Sequence, residues 1–469
     1  MSISCWIWTR SLAFIGWFAC SKAGPLASCD RSFRRSRVGC PPSGPIGTLS
    51  ARWVAPLGPS SSSISRRRRM SRKAFQYRLY PTKQQEQHLL FVLRRCRELY
   101  NTALEQRRAF YQMRRKSLSY SAQAAELAEI KAAYPAYQDI YSQVLQDVLR
   151  RLDKAFAAFF RRFKHGEKPG FPRFQGQGRY DSFTYPQSGF ALASWQGTGK
   201  ERYATLSLSK IGDLKVRLHR PMIGQVKTCT IKRDVNHWYV TFSCEVEEEP
   251  LPPCEEAVGI DLGLLHFATL STGETIENPR HYRTGLKRLK LLQQAKDRKK
   301  RGSRRRKRAA IALAKAHRKV RNQRKDFHHK AARSLVNRFG LIVFEALNIL
   351  TMSKAPAPKP DPDKEGAYLP NGASAKAGLT TSILDAGWGQ FQQFCVAKAA
   401  SAGRRVLFVD PSNTSQLCSG CGRLVPKDLD VRWHSCPYPD CGAELDRDHN
   451  SARTILFRGQ EVAHRATAL

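Results

Sequence analysis

Apolar and polar positions alternate over residues 72–80 (RKAFQYRLY) and then recur at helical spacing, which predicts a strand followed by a helix. Gln85 stands three residues after Thr82, the spacing of a capping box, so the helix is predicted to start there. Two apolar stripes at helical spacing follow, namely Leu89, Val92, Leu93, Cys96, Leu99, Tyr100 and Ala103, then Val144, Leu145, Val148, Leu149, Leu152, Phe156, Phe160 and Phe163. We expect both stripes to form the core of a helix bundle.

From about residue 180 to 250 the pattern changes to short segments of period two separated by turn residues, which predicts a small barrel or sheet. Residues 245–254 (EVEEEPLPPC) are acidic and rich in proline, so we place a domain boundary there. Two basic helices, 283–300 and 304–338, then break at Gly302 and Ser303, which predicts a helical hairpin.

Strands and helices alternate in the second half of the chain, which predicts an α/β unit. Strands are predicted at 257–263, 264–270, 341–349 and 405–409, and further helices at 384–401 and 449–457. Residues 351–381 are rich in Pro, Ala and Lys, and we expect a mobile loop there.

Charge changes this picture from a generic α/β protein to a polyanion-binding one. The 469 residues include 80 Lys and Arg against 38 Asp and Glu, a formal net charge of +42. Such a charge repels itself in a compact fold unless a polyanion shares it, so nucleic acid is the predicted partner. An anionic membrane is the weaker alternative, since no stretch predicts a membrane helix.

Four of the thirteen cysteines form two close pairs, Cys418-x2-Cys421 and Cys436-x4-Cys441. Thiolates at this spacing predict a tetrahedral structural Zn²⁺ site in a ribbon and a reducing compartment, not a disulfide framework. Glycines suited to tight turns flank both pairs, at Gly420, Gly422 and Gly442. His434 is the alternative ligand in place of one thiolate; in either arrangement four protein ligands leave no position open for catalysis.

Asp261 and Glu345 are the single carboxylates on two otherwise apolar predicted strands. A buried carboxylate is costly unless it is paired, hydrogen-bonded or bound to metal, so these two positions indicate function. Asp448 lies before the last predicted helix, two residues after Asp446. Three such acids can hold Mg²⁺, and two ions about 3.5–4 Å apart suit phosphodiester cleavage. A salt bridge or helix cap is the alternative for each acid, most seriously for Asp446 and Asp448.

Residues 1–69 differ from the rest in being rich in Ser, Arg, Pro and Gly. The apolar run 11–20 resembles a signal peptide, but the high charge and the thiolate cluster argue against export. Met70 directly precedes the patterned chain. We interpret residues 1–69 as a disordered extension or as a start assigned too far upstream.

Several segments, in their order and spacing, resemble the TnpB (OrfB) proteins of insertion sequences, which are relatives of type V CRISPR effectors. The segments are RLYPTKQQ (78–85), RELYNTAL (97–104), KPGFPRF (168–174), YDSFTY (180–185), GIDLGL (259–264), VFEALNI (343–349), TSQLCSGCG (414–422) and LDRDHNSA (445–452). The resemblance runs from about Met70 to about Leu456. It departs from the family's D-x-N-A-A pattern at Ser451, where alanine is usual.

The resemblance implies a multidomain α/β chain with a RuvC-like, ribonuclease H-like nuclease domain and an inserted zinc ribbon, preceded by a β wedge domain and a helical recognition lobe. The implied boundaries are 70–81 for the first wedge strand, 82–169 for the recognition lobe, 170–252 for the rest of the wedge, 253–413 and 446–469 for the RuvC-like domain, and 414–445 for the ribbon.

The resemblance also implies that Asp261, Glu345 and Asp448 form the catalytic triad, since Asp448 precedes x-Asn450 in the family's pattern. The implied activity is Mg²⁺-dependent, RNA-guided cleavage of double-stranded DNA. A guide RNA from the transposon end would pair with target DNA beside a short motif that the protein reads. The implied location is the bacterial cytoplasm, and the nucleoid when the protein is bound to DNA; a monomer is the default expectation.

Two other functions stay open at the level of sequence. An RNA-guided DNA-binding regulator would keep the charge and the ribbon and lose cleavage, which the three acids argue against. A direct transposase would use the same metal site to join strands as well as to cut them. Integration products in a purified reaction would favour the transposase.

Overall fold

A computed structural model of the chain describes residues 70–193, 203–364, 366–428 and 430–467, with side chains up to 465. The interpretation of residues 1–69 therefore lies outside the described residues. No helix in these ranges combines the length and the apolar character needed to cross a bilayer. The described backbone divides into two units, Arg72–Val246 and Glu247–Leu469.

A seven-stranded sheet forms the base of the first unit, with strand order β2-β6-β7-β1-β5-β4-β3. Its strands are β1 (Met70–Tyr80), β2 (Ser182–Tyr185), β3 (Phe190–Leu192), β4 (Tyr203–Leu208), β5 (Gly212–Arg217), β6 (Gln225–Asp234) and β7 (His237–Glu247). The predicted strand at 72–80 is confirmed. It lies inside the sheet, so the two segments separated by the helices in sequence share one sheet.

Four helices follow β1: α1 (Lys83–Arg114), α2 (Tyr120–Ala125), α3 (Leu127–Ala133) and α4 (Ser142–Lys164). The predicted capping box is confirmed, because the Thr82 side chain accepts from Gln85 N and the Gln85 side chain accepts from Thr82 N. Leu104 on α1, Leu149 on α4 and Phe242 on β7 belong to one continuous core. The assignment of the helices to a recognition lobe and of the sheet to a separate wedge domain stays a prediction.

The predicted core stripe on α4 is wrong at its C-terminal end. Leu152 is fully buried, but the side chains of Phe160 and Phe163 are 50% and 69% exposed. Near this end the helix meets the following loop at Phe156 and Phe159, through Phe171, and the apolar spacing continues beyond the core.

The second unit contains a five-stranded sheet with strand order β10-β9-β8-β11-β14. The strands are β8 (Ala257–Asp261), β9 (His266–Leu270), β10 (Thr275–Glu277), β11 (Leu341–Glu345) and β14 (Arg405–Val409). β9 runs antiparallel to β8, whereas β11 runs parallel to both β8 and β14. The predicted strand at 341–349 is too long, since β11 ends at Glu345.

The helices of the second unit are α5 (His281–Asp297), α6 (Arg304–Arg338), α7 (Ile349–Met352), α8 (Ala373–Ala386), α9 (Trp388–Ala402) and α10 (Arg447–Thr467). Two short hairpins pair β12 (Lys359–Pro360) with β13 (Tyr368–Leu369), and β15 (Trp433–Ser435) with β16 (Glu444–Asp446). The predicted hairpin of basic helices is confirmed, with Leu289 of α5 packed against Leu313 and Val320 of α6.

Two helix boundaries differ from the prediction. The helix predicted at 384–401 is two helices, because Gly387 between them adopts a left-handed backbone with φ of 67°. The first of them, α8, reaches back to Ala373 into the stretch predicted as a loop; its mainly small and polar residues leave only Ile383 and Ala386 buried. The last helix, predicted at 449–457, extends over Arg447–Thr467.

Helix α10 packs directly on the sheet of the second unit, and two glycines make the close approach possible. A Cβ added to Gly259 on β8 would lie 2.1 Å from the carbonyl oxygen of Ala452, and a Cβ on Gly459 would lie 2.4 Å from Val343. Neither distance is compatible with a side chain. The beginning of α10 is therefore fixed over the ends of β8 and β11.

We expect Gly259→Ala to lower the free energy of unfolding of the second unit by about 3 kcal/mol or more, because the helix backbone must move to admit the methyl group. Thermal unfolding measures this as a lower melting temperature. Gly378→Ala is the matched control: this exposed glycine inside α8 has nothing within 4 Å of an added Cβ. The control should stabilise the unit by about 1 kcal/mol, since alanine favours helix over glycine. Equal melting temperatures for the two variants would contradict the tight packing.

Candidate metal centres

Asp261 and Glu345 end two neighbouring parallel strands. Ile260 of β8 pairs with Phe344 of β11, so the next residue on each strand is one of the two acids, and adjacent strands lie about 4.8 Å apart. Side chains alternate along a strand, and the Cβ position of Gly259 points at α10. Asp261, two residues further on, therefore points to the same side. Glu345 likewise lies two residues after Val343, which contacts α10 at Gly459. Its side chain therefore points to the same side of the sheet as that of Asp261.

Asp448 reaches the same place from the first turn of α10, while its neighbour Asp446 has a different role. The Asp446 carboxylate accepts hydrogen bonds from Asp448 N at 2.8 Å and His449 N at 3.2 Å, the pattern of a helix cap. A Cβ added to Gly263, just after β8, would lie 3.9 Å from Asp448 Oδ2. The Asp448 carboxylate thus lies over the end of β8, and Asp446 secures the helix that carries it.

The electrostatics of the three acids agree with this placement at one edge of the sheet. Burial raises the pKa of Asp261 well above its usual range, and the carboxylates of Glu345 and Asp448 raise it further. Burial also raises the pKa of Glu345, although a hydrogen bond from Thr414 opposes the shift. Burial raises the pKa of Asp448 as well, and the neighbouring Asp446 adds to the effect. Mutual repulsion in a desolvated site is relieved when a cation binds between the acids.

Four thiols form a second candidate metal centre. Among the described residues, Cys418, Cys421, Cys436 and Cys441 are the one group of three or more possible ligands whose ligand atoms all lie within 4.8 Å of one another. The Sγ–Sγ distances are 3.6 Å for Cys418–Cys441 and 3.7 Å for Cys421–Cys436.

These distances fit a tetrahedral zinc ion. Zn–S bonds of about 2.3 Å in a tetrahedron place the sulfurs about 3.8 Å apart, whereas a disulfide needs about 2.05 Å. Gly422 and Gly442, after each pair, have left-handed φ values of 73° and 57°, as the predicted turns require. A Cβ on Gly420 would lie 2.9 Å from Cys441 Sγ, so this glycine makes room for the cluster.

His434 lies beside the thiols and is fully buried. Its Nδ1 contacts Lys427 Nζ, and its Nε2 has no hydrogen-bond partner among the described residues. Because all four sulfurs already converge, the all-cysteine ligand set fits the geometry better than the alternative with histidine.

The cysteine ribbon is attached to the beginning of α10 by two side chains. The Asn450 amide donates to Leu417 O at 2.7 Å and accepts from Ser419 N at 2.9 Å, so it grips the main chain on both sides of Cys418. The Arg447 guanidinium donates to the carbonyl oxygens of Asp428 at 2.6 Å and Val431 at 3.1 Å. Asn450 and Arg447 flank Asp448, so the ribbon fixes the segment that carries the third acid.

Comparison with known families matches three parts of the chain. Residues 241–355 match the OrfB_IS605 family, described as "Probable transposase", and residues 388–455 match "Cas12f1-like, TNB domain". Residues 70–116 match a family described as "Helix-turn-helix domain". In the structure this last range holds strand β1 and the single long helix α1, with no turn between two helices.

Two relatives match over most of their length. A protein of Streptomyces pristinaespiralis named "Putative RNA-guided DNA endonuclease" is 35% identical over 400 residues, covering 83% of this chain and 89% of the relative. "Putative RNA-guided DNA endonuclease InsQ" of Escherichia coli K12 is 31% identical over 396 residues, covering 83% of this chain and 93% of that protein. The chain belongs to the TnpB (OrfB) family.

A solved structure described as that of "the mini-RNA-guided endonuclease CRISPR-Cas_phi3" also aligns with this TnpB-family chain. The alignment covers 83% of this chain and 92% of the chain in that structure, at 10% identity and a TM-score of 0.43. The family membership rests on the two sequence relatives.

Three residues around the acids of this TnpB-family chain escaped the sequence interpretation. Thr414, which is buried, donates a hydrogen bond to Glu345 Oε1 from 69 positions away. Arg447 and Asn450 stand in the quoted family segment, but their contacts with the ribbon main chain are not visible in any local pattern. The available signal in the sequence was their position inside the segments that carry the family resemblance. Thr414 opens TSQLCSGCG, and Asn450 lies in LDRDHNSA.

We expect Mg²⁺ to raise the melting temperature of this TnpB-family chain more at pH 8 than at pH 5. The folded-state pKa values of Asp261, Glu345 and Asp448 are raised, so the folded chain binds more protons than the unfolded one and its stability falls as pH rises through those values. Mg²⁺ relieves this repulsion where the acids are ionised. At 100 times its Kd it should stabilise by about 2.7 kcal/mol, or roughly 5–10 °C.

Differential scanning fluorimetry with and without Mg²⁺ at both pH values measures the effect. Asp261→Asn is the matched variant, since it keeps the shape and removes one charge, and its melting temperature should respond far less to Mg²⁺ at pH 8. A Mg²⁺ shift in this variant as large as in the unmodified protein would place the ion elsewhere.

Proposed function

We propose that this chain is a transposon-associated, RNA-guided DNA endonuclease that hydrolyses DNA phosphodiesters at a RuvC-like site formed by Asp261, Glu345 and Asp448. The observation that carries the proposal is the convergence of these acids at one edge of the sheet, where burial raises the pKa of all three and Glu345 and Asp448 raise that of Asp261 further. The names of the two relatives in the TnpB family point to the same activity.

The topology of the second unit supports a ribonuclease H-like fold. Numbered along the chain, its five sheet strands lie in the order 3-2-1-4-5, with the second antiparallel to the first and the fourth parallel to it. The family resemblance implies a ribonuclease H-like fold for this unit, and a mixed sheet with two of the acids at one edge agrees with it. The acids at the ends of the first and fourth strands are then neighbours, and the third acid comes from the last helix.

The acids fit Mg²⁺ because hard carboxylate oxygens are the ligands that this ion prefers. Asp261, Glu345 and Asp448 would hold the metal, and three carboxylates are enough to hold two ions about 3.5–4 Å apart. When bound, such ions activate water and stabilise the leaving oxygen of a phosphodiester.

The surrounding residues of the chain hold these ligands in place. The Thr414 hydroxyl donates to Glu345 and leaves the other carboxylate oxygen for the metal. Asp446 caps α10, and the tight packing at Gly259 fixes the height of that helix over β8. Arg447 and Asn450 hold the same turn to the cysteine ribbon. The acids are thereby positioned by main-chain anchors before any substrate binds.

We further propose that the cysteine cluster binds a structural zinc ion, with Cys418, Cys421, Cys436 and Cys441 as its four ligands. The sulfur distances support this ligand set, and four protein ligands leave no open coordination position. The zinc would stabilise the ribbon and, through it, the start of α10.

The nucleic-acid partners follow from charge. A net charge of +42 needs a polyanion, and the exposed cations at the start of α6 form one dense group, Arg304, Arg305, Lys307 and Arg308. A guide RNA from the transposon end and the target DNA beside its adjacent motif would together supply that polyanion. Base pairing would then choose the target, and the protein would hold the duplex by its backbone.

The proposal is tested by expressing the full chain together with flanking transposon DNA and sequencing the RNA that copurifies. A single discrete RNA that ends in sequence from beyond the element is expected. A DNA duplex that matches this end should then be cut only when Mg²⁺ is present. Heterogeneous RNA or none, together with a well-folded protein, would point to a DNA-only nuclease or a transposase.

A further inference from the structure

The C-terminal end of α4 and the loop after it carry a group of phenylalanines, of which Phe156 packs against the core and most others do not. We call this group the phenylalanine surface; its members are Phe156, Phe159, Phe160, Phe163, Phe171 and Phe174. The side chains of four of them are strongly exposed: Phe160 50%, Phe163 69%, Phe171 48% and Phe174 44%. Exposed aromatic groups of this size mark an interaction site.

The phenylalanine surface is a fixed arrangement of rings. The Phe171 ring lies edge-on to Phe156 and Phe159, with centroids 5.5 Å away in both cases, so the loop is packed against the helix. The loop is also attached to α1, because Asn101 donates to Gln175 O at 3.0 Å and accepts from Gln175 N at 2.7 Å. Phe160 and Phe171 are therefore held by neighbouring rings before a ligand binds, which favours affinity.

Cations are interspersed with the phenylalanines along the sequence. Residues 154–179 contain seven Lys and Arg against one Glu, and the exposed ones nearest the phenylalanines are Arg161, Arg162, Lys164, Lys168 and Arg173. None of these five forms an ion pair with a described carboxylate. A further guanidinium, that of Arg108, lies 5.5 Å from the centroid of the Phe174 ring. Flat apolar faces bordered by unpaired positive charge match the two features of a nucleotide, its base and its phosphate.

We propose that the phenylalanine surface binds unpaired bases of single-stranded RNA, with the bases stacked on Phe160 and Phe163 and the phosphates held by the neighbouring arginines and lysines. This inference rests on the proposed function, and it adds a location and a mode of contact for the RNA. Unpaired RNA bases are commonly stacked on aromatic side chains, and every base offers a face, so such binding tolerates any sequence.

The charge favours RNA over a protein partner. The centre of a protein–protein interface is depleted of charged residues, whereas here Arg161 and Arg162 lie directly between Phe160 and Phe163 in sequence. RNA is also favoured over target DNA, because a resident guide RNA would cover these rings continuously. Target DNA binds only for part of the time, so it would leave the rings exposed to water whenever no target is bound.

The test measures binding of the full chain to a fluorescein-labelled 12-nucleotide single-stranded RNA over a series of salt concentrations. The double variant Phe160→Ala/Phe163→Ala should bind about tenfold or more weakly, with an unchanged slope of log K against log salt. Arg161→Gln/Arg162→Gln should instead reduce that slope by roughly 1.4, or 0.7 for each lost phosphate contact. Tyr368→Ala, which truncates another exposed ring of 65% exposure, is the matched control and should bind normally.

Two more measurements decide among the alternatives. A fully paired RNA hairpin should lose less than threefold in the phenylalanine double variant, and an equal loss for the hairpin would overturn the assignment to unpaired bases. Tighter binding of the unmodified protein to a DNA strand of the same sequence than to the RNA would overturn the assignment to RNA. Self-association of the unmodified protein that the double variant abolishes would assign the surface to a second copy of the chain.

If the double variant binds the RNA as well as the unmodified protein, the proposed surface is wrong while the proposed function stands. If the unmodified protein binds no nucleic acid at all, the proposed function itself fails. Circular dichroism shows that the variants are folded, and the exposed positions of both rings predict that they will be.

Discussion

Asp261→Asn is expected to reduce the rate of DNA cleavage by about a thousandfold or more while binding of the RNA-guided complex to DNA persists. Metal-assisted stabilisation of the reacting phosphate supplies several kcal/mol, and each 1.36 kcal/mol corresponds to a factor of ten in rate. The substitution preserves shape and removes the carboxylate whose pKa is raised by burial and by both other acids. Glu345→Gln and Asp448→Asn should behave alike. Single-turnover cleavage and a separate DNA-binding titration measure the two effects.

The matched control is Asp446→Asn, two positions from Asp448. Asp446 caps α10, and asparagine is also a good cap, so cleavage should stay within a few-fold of the unmodified rate. Asp446→Ala should cost about 1 kcal/mol of stability and still permit cleavage. An inactive Asp446→Asn beside an active Asp448→Asn would show that the third acid has been assigned to the wrong residue.

Cys418→Ser is expected to abolish metal binding in the ribbon and with it most of the cleavage activity. Structural zinc contributes about 10–16 kcal/mol of apparent binding free energy in zinc-finger peptides, and that energy is folding energy. The effect reaches the active site because Asn450 holds the main chain on both sides of Cys418 and lies two residues after Asp448. Mass spectrometry of the metal should show about one zinc per unmodified chain and almost none per variant.

Cys254→Ser is the control for this second prediction. Cys254 lies in the same unit, outside the cluster, and its thiol contacts Arg338 O at 3.2 Å, a contact that a hydroxyl can reproduce. This variant should keep its zinc, its melting temperature and its activity. Full zinc content in Cys418→Ser would mean that another residue completes the ligand set, with His434 the nearest candidate.

Local pattern predicted the elements that carry the acids and not the contacts that hold them. Strand β8, the hairpin of basic helices and the cap at Thr82 follow from periodicity and spacing over a few residues, and the structure confirms them. The buried carboxylates were visible because a charge on an apolar strand is costly. The interaction of Thr414 with Glu345 joins residues far apart in sequence, so no local window contains it.

The wrong predictions have a common physical cause. Helix α8 was missed because it is mostly exposed and its small residues give no apolar stripe. The stripe on α4 was assigned to the core over its whole length because spacing reports which side of a helix is apolar, and not whether anything covers it. Burial depends on what packs against the helix, and that is settled by tertiary structure. The exposed Phe160 and Phe163 are the result.

Arg447 and Asn450 hold the ribbon mainly through its main chain. The path of that main chain is therefore more constrained than the side chains it carries. Arg447 and Asn450 bind carbonyl and amide groups of residues 417, 419, 428 and 431, whatever side chains those positions carry. The side chains at these four positions can therefore change without loss of these hydrogen bonds, whereas Ser415 is constrained because its hydroxyl accepts from Arg447 at 3.3 Å. A ribbon taken from a distant relative could replace this one, provided that its four cysteines and the path of its main chain are kept. The ribbon is thus an exchangeable module through which the outer surface of the nuclease can diversify while its chemistry stays constant.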